Sequence, residues 1–91
     1  MREASIEAAL TLGVKDFGWC IKLVPFYQVG LPDRMILLSG GRCIFVETKA
    51  PNGVVRSWQK RLHERLRTLG FRVEILWTMT QVRTFLDEIR A

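Results

Sequence analysis

The sequence predicts a small α/β domain: a mixed four-stranded sheet flanked by helices, in the order α-β-β-β-α-β-α. Three observations carry this assignment. Apolar residues recur at helical spacing in three separate stretches. Four short runs rich in strand-forming residues lie between those stretches. Gly40-Gly41 joins two of the runs as a hairpin, whereas a helical stretch separates the last two, as a parallel crossover requires.

Residues 3 to 14 form the first helix, with Ile6, Leu10 and Val14 on one stripe at i, i+4 and i+8. Glu3 and Glu7 fall on or beside that stripe. Acids so close to a core-facing side either snorkel to solvent or reach into a site. Residues 18 to 27 form the first strand, in which Trp19, Ile21 and Leu23 alternate with Cys20, Lys22 and Val24. Lys22 is the only charge in this run: a phosphate contact, or an edge-strand guard against aggregation. Pro25 ends that ladder, and residues 26–31 cross to the hairpin.

The hairpin strands are the apolar runs Met35 to Leu38 and Cys43 to Val46. Pro51-Asn52-Gly53 is a turn. Ser57 is expected as the N-cap of the second helix, whose apolar stripe is Trp58, Leu62, Leu66 and Leu69, with Gly70 just past its end. Arg72 to Trp77 is the fourth strand, with Val73, Ile75 and Trp77 alternating. Thr78-x-x-Gln81 matches a capping box, and Val82, Phe85, Leu86 and Ile89 make the last helix amphipathic.

Ninety-one residues suit one domain, 1–91, and 48% hydrophobic content suffices for a core. No apolar run approaches the roughly 18 residues of a membrane span, and the opening Met-Arg-Glu-Ala-Ser carries no secretory pattern. Cys20 and Cys43 lie in predicted strands without metal-site spacing and read as reduced thiols of a cytoplasmic protein. A single histidine excludes a His-rich metal site. The net charge is +5, from 14 basic and 9 acidic residues. Arg56, Lys60, Arg61, Arg65 and Arg67 fall within twelve residues, which suits a polyanionic partner, most simply nucleic acid, or forms a solvated helix face.

The charges at the open end of the hairpin are the chemical focus. Asp33 begins one strand, and Glu47 and Lys49 end the other. Glu47 and Lys49 share a face, because strand side chains alternate. A three-residue loop, Ser39 to Gly41, pairs residue 38 with 42 and puts Asp33 opposite Glu47. A loop of Gly40-Gly41 alone puts Asp33 opposite Thr48, and the carboxylates diverge. Hard divalent cations take oxygen ligands, and Mg²⁺ often takes only one or two protein carboxylates. A lysine nearby can hold an attacking water or offset transition-state charge. By themselves, these three residues are better explained by a surface ion pair of Glu47 with Lys49 or Arg34, since acidic and basic residues commonly end strands.

The wider pattern adds specificity. Gly30-Leu31-Pro32-Asp33-Arg34, Phe45-Val46-Glu47-Thr48-Lys49-Ala50-Pro51, Ser57-Trp58-Gln59 and Leu69-Gly70-Phe71 together resemble the PD-(D/E)xK nuclease superfamily and, over nearly the whole chain, its VRR-NUC branch of standalone phage or bacterial type. The resemblance implies a restriction-endonuclease-like core and Mg²⁺-dependent cleavage of DNA, often branched DNA, with Mn²⁺ as a substitute. It implies Asp33 and Glu47 as metal ligands, completed by the backbone carbonyl of Thr48, and Lys49 orienting the water. It adds a first-helix glutamate, best matched by Glu3 with Glu7 one turn along as its rival, and Gln59 at the start of the second helix. Lys22, Arg34, Arg56, Lys60, Arg61 and the 26–31 loop are the expected DNA contacts. The expected whole is a homodimeric endonuclease cutting four-way junctions in the cytoplasm of a bacterial or phage-infected cell. Its rivals are another repair or restriction nuclease of the superfamily and a non-catalytic DNA-binding module.

Overall fold

Ile6, Leu10 and Val14 are completely buried along one side of helix α1 (Glu3–Val14). In the structure, a computed structural model that describes residues 2–24 and 28–91, that stripe covers one face of a four-stranded sheet. The strands are β1 (Gly18–Lys22), β2 (Arg34–Leu38), β3 (Arg42–Thr48) and β4 (Arg72–Leu76), in that spatial order. β1 and β2 pair antiparallel, as do β2 and β3, while β3 and β4 are parallel. The parallel step is made through helix α2 (Ser57–Thr68), and helix α3 (Met79–Arg90) closes the chain. The element order and mixed sheet are those read from the sequence.

The core lies between the sheet and the α1–α3 pair. Ile36, Ile44, Val46 and Leu76 project from the sheet, and Val82, Phe85 and Ile89 from α3. Alternation sends Met35, Cys43, Phe45 and Glu47 to the other face, where α2 packs beside β4. Thr78 caps α3 by accepting from the Gln81 N–H at 3.1 Å, while Gln81 Oε1 accepts from the Trp77 N–H. α2 ends in paired backbone bonds, Phe71 N–H to Leu66 C=O at 3.0 Å and Gly70 N–H to Arg67 C=O at 2.9 Å, with Gly70 left-handed at φ 98°. Among the described residues, no helix is long and apolar enough to cross a membrane.

Three local expectations shift. The first strand stops at Lys22, because its partner β2 begins only at Arg34; one further bond, Leu23 N–H to Asp33 C=O at 2.8 Å, continues the ladder. Pro25 and residues 26–27 of the crossing loop lie outside the described residues. The cap of α2 falls on Arg56 rather than Ser57, since the Arg56 N–H donates to Gln59 Oε1 at 2.9 Å. The stripe of α2 is also rotated. Trp58 and Leu69 are exposed, Leu62 and Leu66 half-buried, and the buried residue is His63.

The segment leading into β2 is seated on α2. Pro32 is fully buried, and Gly30 takes φ 93° with its backbone hard against the helix. A Cβ on Gly30 would lie 2.8 Å from Trp58 Cδ1, 2.9 Å from Leu62 Cδ1 and 3.3 Å from the Trp58 carbonyl. Gly40, in the hairpin turn, also has positive φ but open space around it. Gly30→Ala is therefore expected to cost on the order of 2–4 kcal/mol from left-handed strain and overpacking together, against about 1–2 kcal/mol for Gly40→Ala, which meets the strain alone. Denaturant melts of the two variants check this; equal losses would mean that the segment is not held against α2.

Candidate active site at the open end of the hairpin

Leu38 pairs with Arg42 across a Ser39–Gly41 loop, with Gly40 and Gly41 both at positive φ. This is the three-residue connection, and its register continues from Arg34↔Val46 to place Asp33 opposite Glu47. Asp33 is pinned there. Its Oδ2 accepts from both the backbone N–H and the Oγ1–H of Thr48, each at 2.9 Å. Glu47, at 1% exposure, projects from β3 toward α2. Glu3 reaches the same point from the first turn of α1. One carboxylate oxygen from each of Glu3, Asp33 and Glu47 lies within 4.8 Å of the other two. Of the two first-helix candidates, Glu3 is therefore the one in the cluster. Glu7, one turn on, faces the Arg34 guanidinium at 3.7 Å.

The cluster is electrostatically strained. Lys49 Nζ stands 3.7 Å from Glu47 Oε2, and His63 Nε2 stands 3.8 Å from Glu47 Oε1. Burial, and then the Asp33 carboxylate, push the Glu47 carboxyl up to about 8, against the opposing pull of Lys49. The same two causes raise Glu3. His63 is lowered, first by burial and then by Arg67 and Lys49, so its imidazole is neutral at neutral pH. Glu47 Oε1 and His63 Nε2 are both buried without a hydrogen-bond partner among the described residues.

These observations fit a hard divalent cation. Three carboxylates converge against one ammonium, the donors are all oxygen, and a buried carboxylate oxygen is left over. Asp33, Glu47 and Glu3 are the residues that would hold it.

The other expected site residues are placed less centrally. Gln59 lies one turn before His63 on α2, with its carbonyl oxygen already taken by the Arg56 N–H. Arg34 is almost buried beside Glu7. Lys22 is exposed at the same end of the sheet, but alternation and its pairing with Arg34 put it on the α1 face, opposite Glu47. Arg56, Lys60 and Arg61 are exposed on α2, with the Arg56 guanidinium 5.6 Å from the Trp58 ring centre. His63 is the residue that the sequence reading missed. The available signal was its position, one turn after Gln59 and within the turns of α2 that bury Leu62 and Leu66.

No family model matches the chain. Among curated proteins, the one named "Putative nuclease p44", from Acyrthosiphon pisum secondary endosymbiont phage 1, is 42% identical over 77 residues, covering 84% of this chain and 83% of that protein. Among solved structures, one described as a VRR_NUC domain superposes with a TM-score of 0.85 at 26% identity, covering 96% of this chain and 97% of the other. The mixed four-stranded sheet with three helices is the fold of that domain.

Glu47 gives the cluster a pH signature. Its folded-state value of about 8 exceeds the ordinary 4.5, so the folded state prefers the protonated form. Its burial thus costs nothing extra below about pH 4.5; the cost grows as pH rises and is complete above about pH 8. Without divalent cations, Glu47→Gln is expected to melt above the wild type at about pH 8.5 and close to it at about pH 4.5. With Mg²⁺ added at the higher pH, the wild type should gain stability and the variant should not. A variant less stable than the wild type at high pH without metal would contradict this electrostatic account.

Proposed function

Because this chain belongs to the VRR-NUC nucleases, we propose that it is a divalent-metal-dependent DNA endonuclease that works as a homodimer on four-way junctions. The observation that carries the reading is the meeting of Asp33, Glu47 and Glu3 beside Lys49 at one end of the hairpin. Hydrolysis needs a water oxygen brought to phosphorus and the P–O3′ bond broken, leaving 5′-phosphate and 3′-hydroxyl ends. A divalent cation, Mg²⁺ or Mn²⁺, supplies Lewis-acid stabilisation of the charge that develops on the phosphate.

The chain's own residues do the rest. Thr48 fixes Oδ2 of Asp33, and Oδ1 would be the oxygen that Asp33 offers to the cation. Glu47 and Glu3 would offer the remaining carboxylate oxygens, and the Thr48 carbonyl would complete the protein ligands. The Lys49 ammonium, already beside Glu47, orients the attacking water and offsets phosphorane charge. Gln59 keeps its amide N–H groups as donors to a phosphate at the start of α2. Arg56, Lys60 and Arg61 offer exposed cations to the backbone of the duplex, with Lys22 on the far side of the sheet end and Arg34 supporting from beneath. Free Cys20 and Cys43 fit a reducing cytoplasm, that of a bacterial or phage-infected cell.

Assembly follows from surface apolarity. Phe85 is buried, but Trp19 is 65% exposed, Leu69 68% and Trp58 43%. Exposed aromatic and aliphatic groups on this scale mark association surfaces, and a two-fold dimer is the commonest closed arrangement. Two sites related by a two-fold axis match a junction, which offers two equivalent strands.

Asp33→Asn, Glu47→Gln and Lys49→Ala are each expected to lower cleavage by roughly two orders of magnitude or more, while DNA binding largely survives on phosphate contacts elsewhere. Wild-type cutting by Glu47→Gln in Mg²⁺ would remove the assignment. Light scattering should report twice the 10.5 kDa chain mass. Paired nicks should appear in four-way junctions ahead of linear duplex at matched salt. A strict monomer, or equal cutting of both substrates, would leave a simple nuclease without junction preference.

A further inference from the structure

The buried side chain of α2 is an imidazole, and it faces the most buried carboxylate of the cluster. His63 is 1% exposed, and its Nε2 points to Glu47 Oε1 across 3.8 Å. That gap is about 0.9 Å longer than an ordinary N–H···O bond. Neither atom has another partner among the described residues. An unsatisfied buried polar atom costs about 1–3 kcal/mol, so two that face each other are best satisfied by one another. An ordinary core position on α2 would be served by leucine without that cost.

We propose that His63 is the positioning residue of Glu47: its Nε2–H closes onto Oε1 and fixes the carboxylate in the orientation that a divalent cation requires. The proposal rests on the metal-dependent reading of the site given above. Lys49 stands against the other oxygen, Oε2, so the carboxylate is gripped from both sides. The two grips differ in kind. Lys49 keeps part of its side chain exposed to solvent, whereas His63 is sealed inside, with Glu47 Oε1 the acidic oxygen opposite its Nε2. A neutral donor holds the carboxylate without cancelling the charge that attracts the cation. Its place on a packed helix, one turn below Gln59, ties the geometry of the metal site to the docking of α2. Donors of this kind to a ligating group typically change metal affinity or activity by about 10–100-fold when removed.

Calorimetric titration of the whole chain with MnCl₂ tests the idea, comparing wild type, His63→Leu and His63→Gln. Glutamine places an amide nitrogen near the position of Nε2; leucine fills the space without a donor. His63→Leu is expected to weaken Mn²⁺ binding by about 10–100-fold, and His63→Gln to restore it to within about threefold. Binding of four-way-junction DNA without metal should be unchanged in both. Equal Mn²⁺ affinity in wild type and His63→Leu, or a glutamine variant as weak as leucine, would overturn the positioning role. A wild type that neither binds Mn²⁺ nor cleaves would overturn the metal-site reading itself and this role with it. Should the leucine variant fail to fold, the wild type decides alone. His63 is the only histidine, so its ¹⁵N spectrum is unambiguous. A protonated Nε2 whose proton shifts downfield and exchanges more slowly on Mg²⁺ addition supports the proposal, and an unprotonated Nε2 contradicts it.

Discussion

The pairing of Leu38 with Arg42 is the constraint on which the site depends. Side chains change face at every residue of a strand, so a one-residue slip would exchange the two faces of β3. Ile44 and Val46 would leave the core, and Glu47 would enter it. The apolar requirement and the placement of the carboxylates are thus satisfied by one register. Gly40 and Gly41 permit it, because both adopt positive φ in a turn with no neighbour close by. The turn lies at the opposite end of the hairpin from the carboxylates and still sets which residues meet there.

Around that register, the protein holds an arrangement that electrostatics opposes. Asp33 is tied to Thr48, Glu3 is brought in by the same helix whose Ile6, Leu10 and Val14 cover the core, and Glu47 is buried between Lys49 and His63. Core packing on the α1 face supplies the stability that the charged end lacks. Glu7 and Arg34, one turn away, form an ordinary partly buried pair. The contrast between the two glutamates shows how different two acids on one helix stripe become once tertiary packing assigns their partners.

Much of this was legible in the sequence, for physical reasons that can be named. Period-two and period-3.6 patterns are local, so the bounds of α1 and the order of the elements followed from spacing, whereas the glycine turn allowed two registers and only one of them faces Asp33 with Glu47. What depended on distance in the chain did not follow from spacing. Spacing gives the angle of a residue about a helix axis but not its height against another element, so it did not separate Glu3 from Glu7, and only the resemblance favoured Glu3 before α1 was docked. The stripe through Trp58 and Leu69 was apolar yet exposed, because the buried side of α2 is set by what it covers on the sheet. His63 was passed over as a lone histidine. Its importance comes from Glu47, sixteen positions earlier, and no pattern within the helix records that neighbour. Lys22 lies at the expected end of the first strand, and its pairing with Arg34 adds what the run alone did not give, that it stands on the α1 face.

The seating of α2 on Glu47 also bears on the order of folding and the pattern of local opening. The hairpin is a short-range structure, and its small loop can bring Asp33 and Glu47 together while both are still hydrated and their repulsion is screened. The docking of α2 sets His63 against Glu47 and adds to the burial that raises the Glu47 carboxyl. Release of that helix would return Glu47 to water, and native-state hydrogen exchange reads local openings of this kind. A cation held by the cluster would offset the cost of that burial and so would fasten the same helix in place.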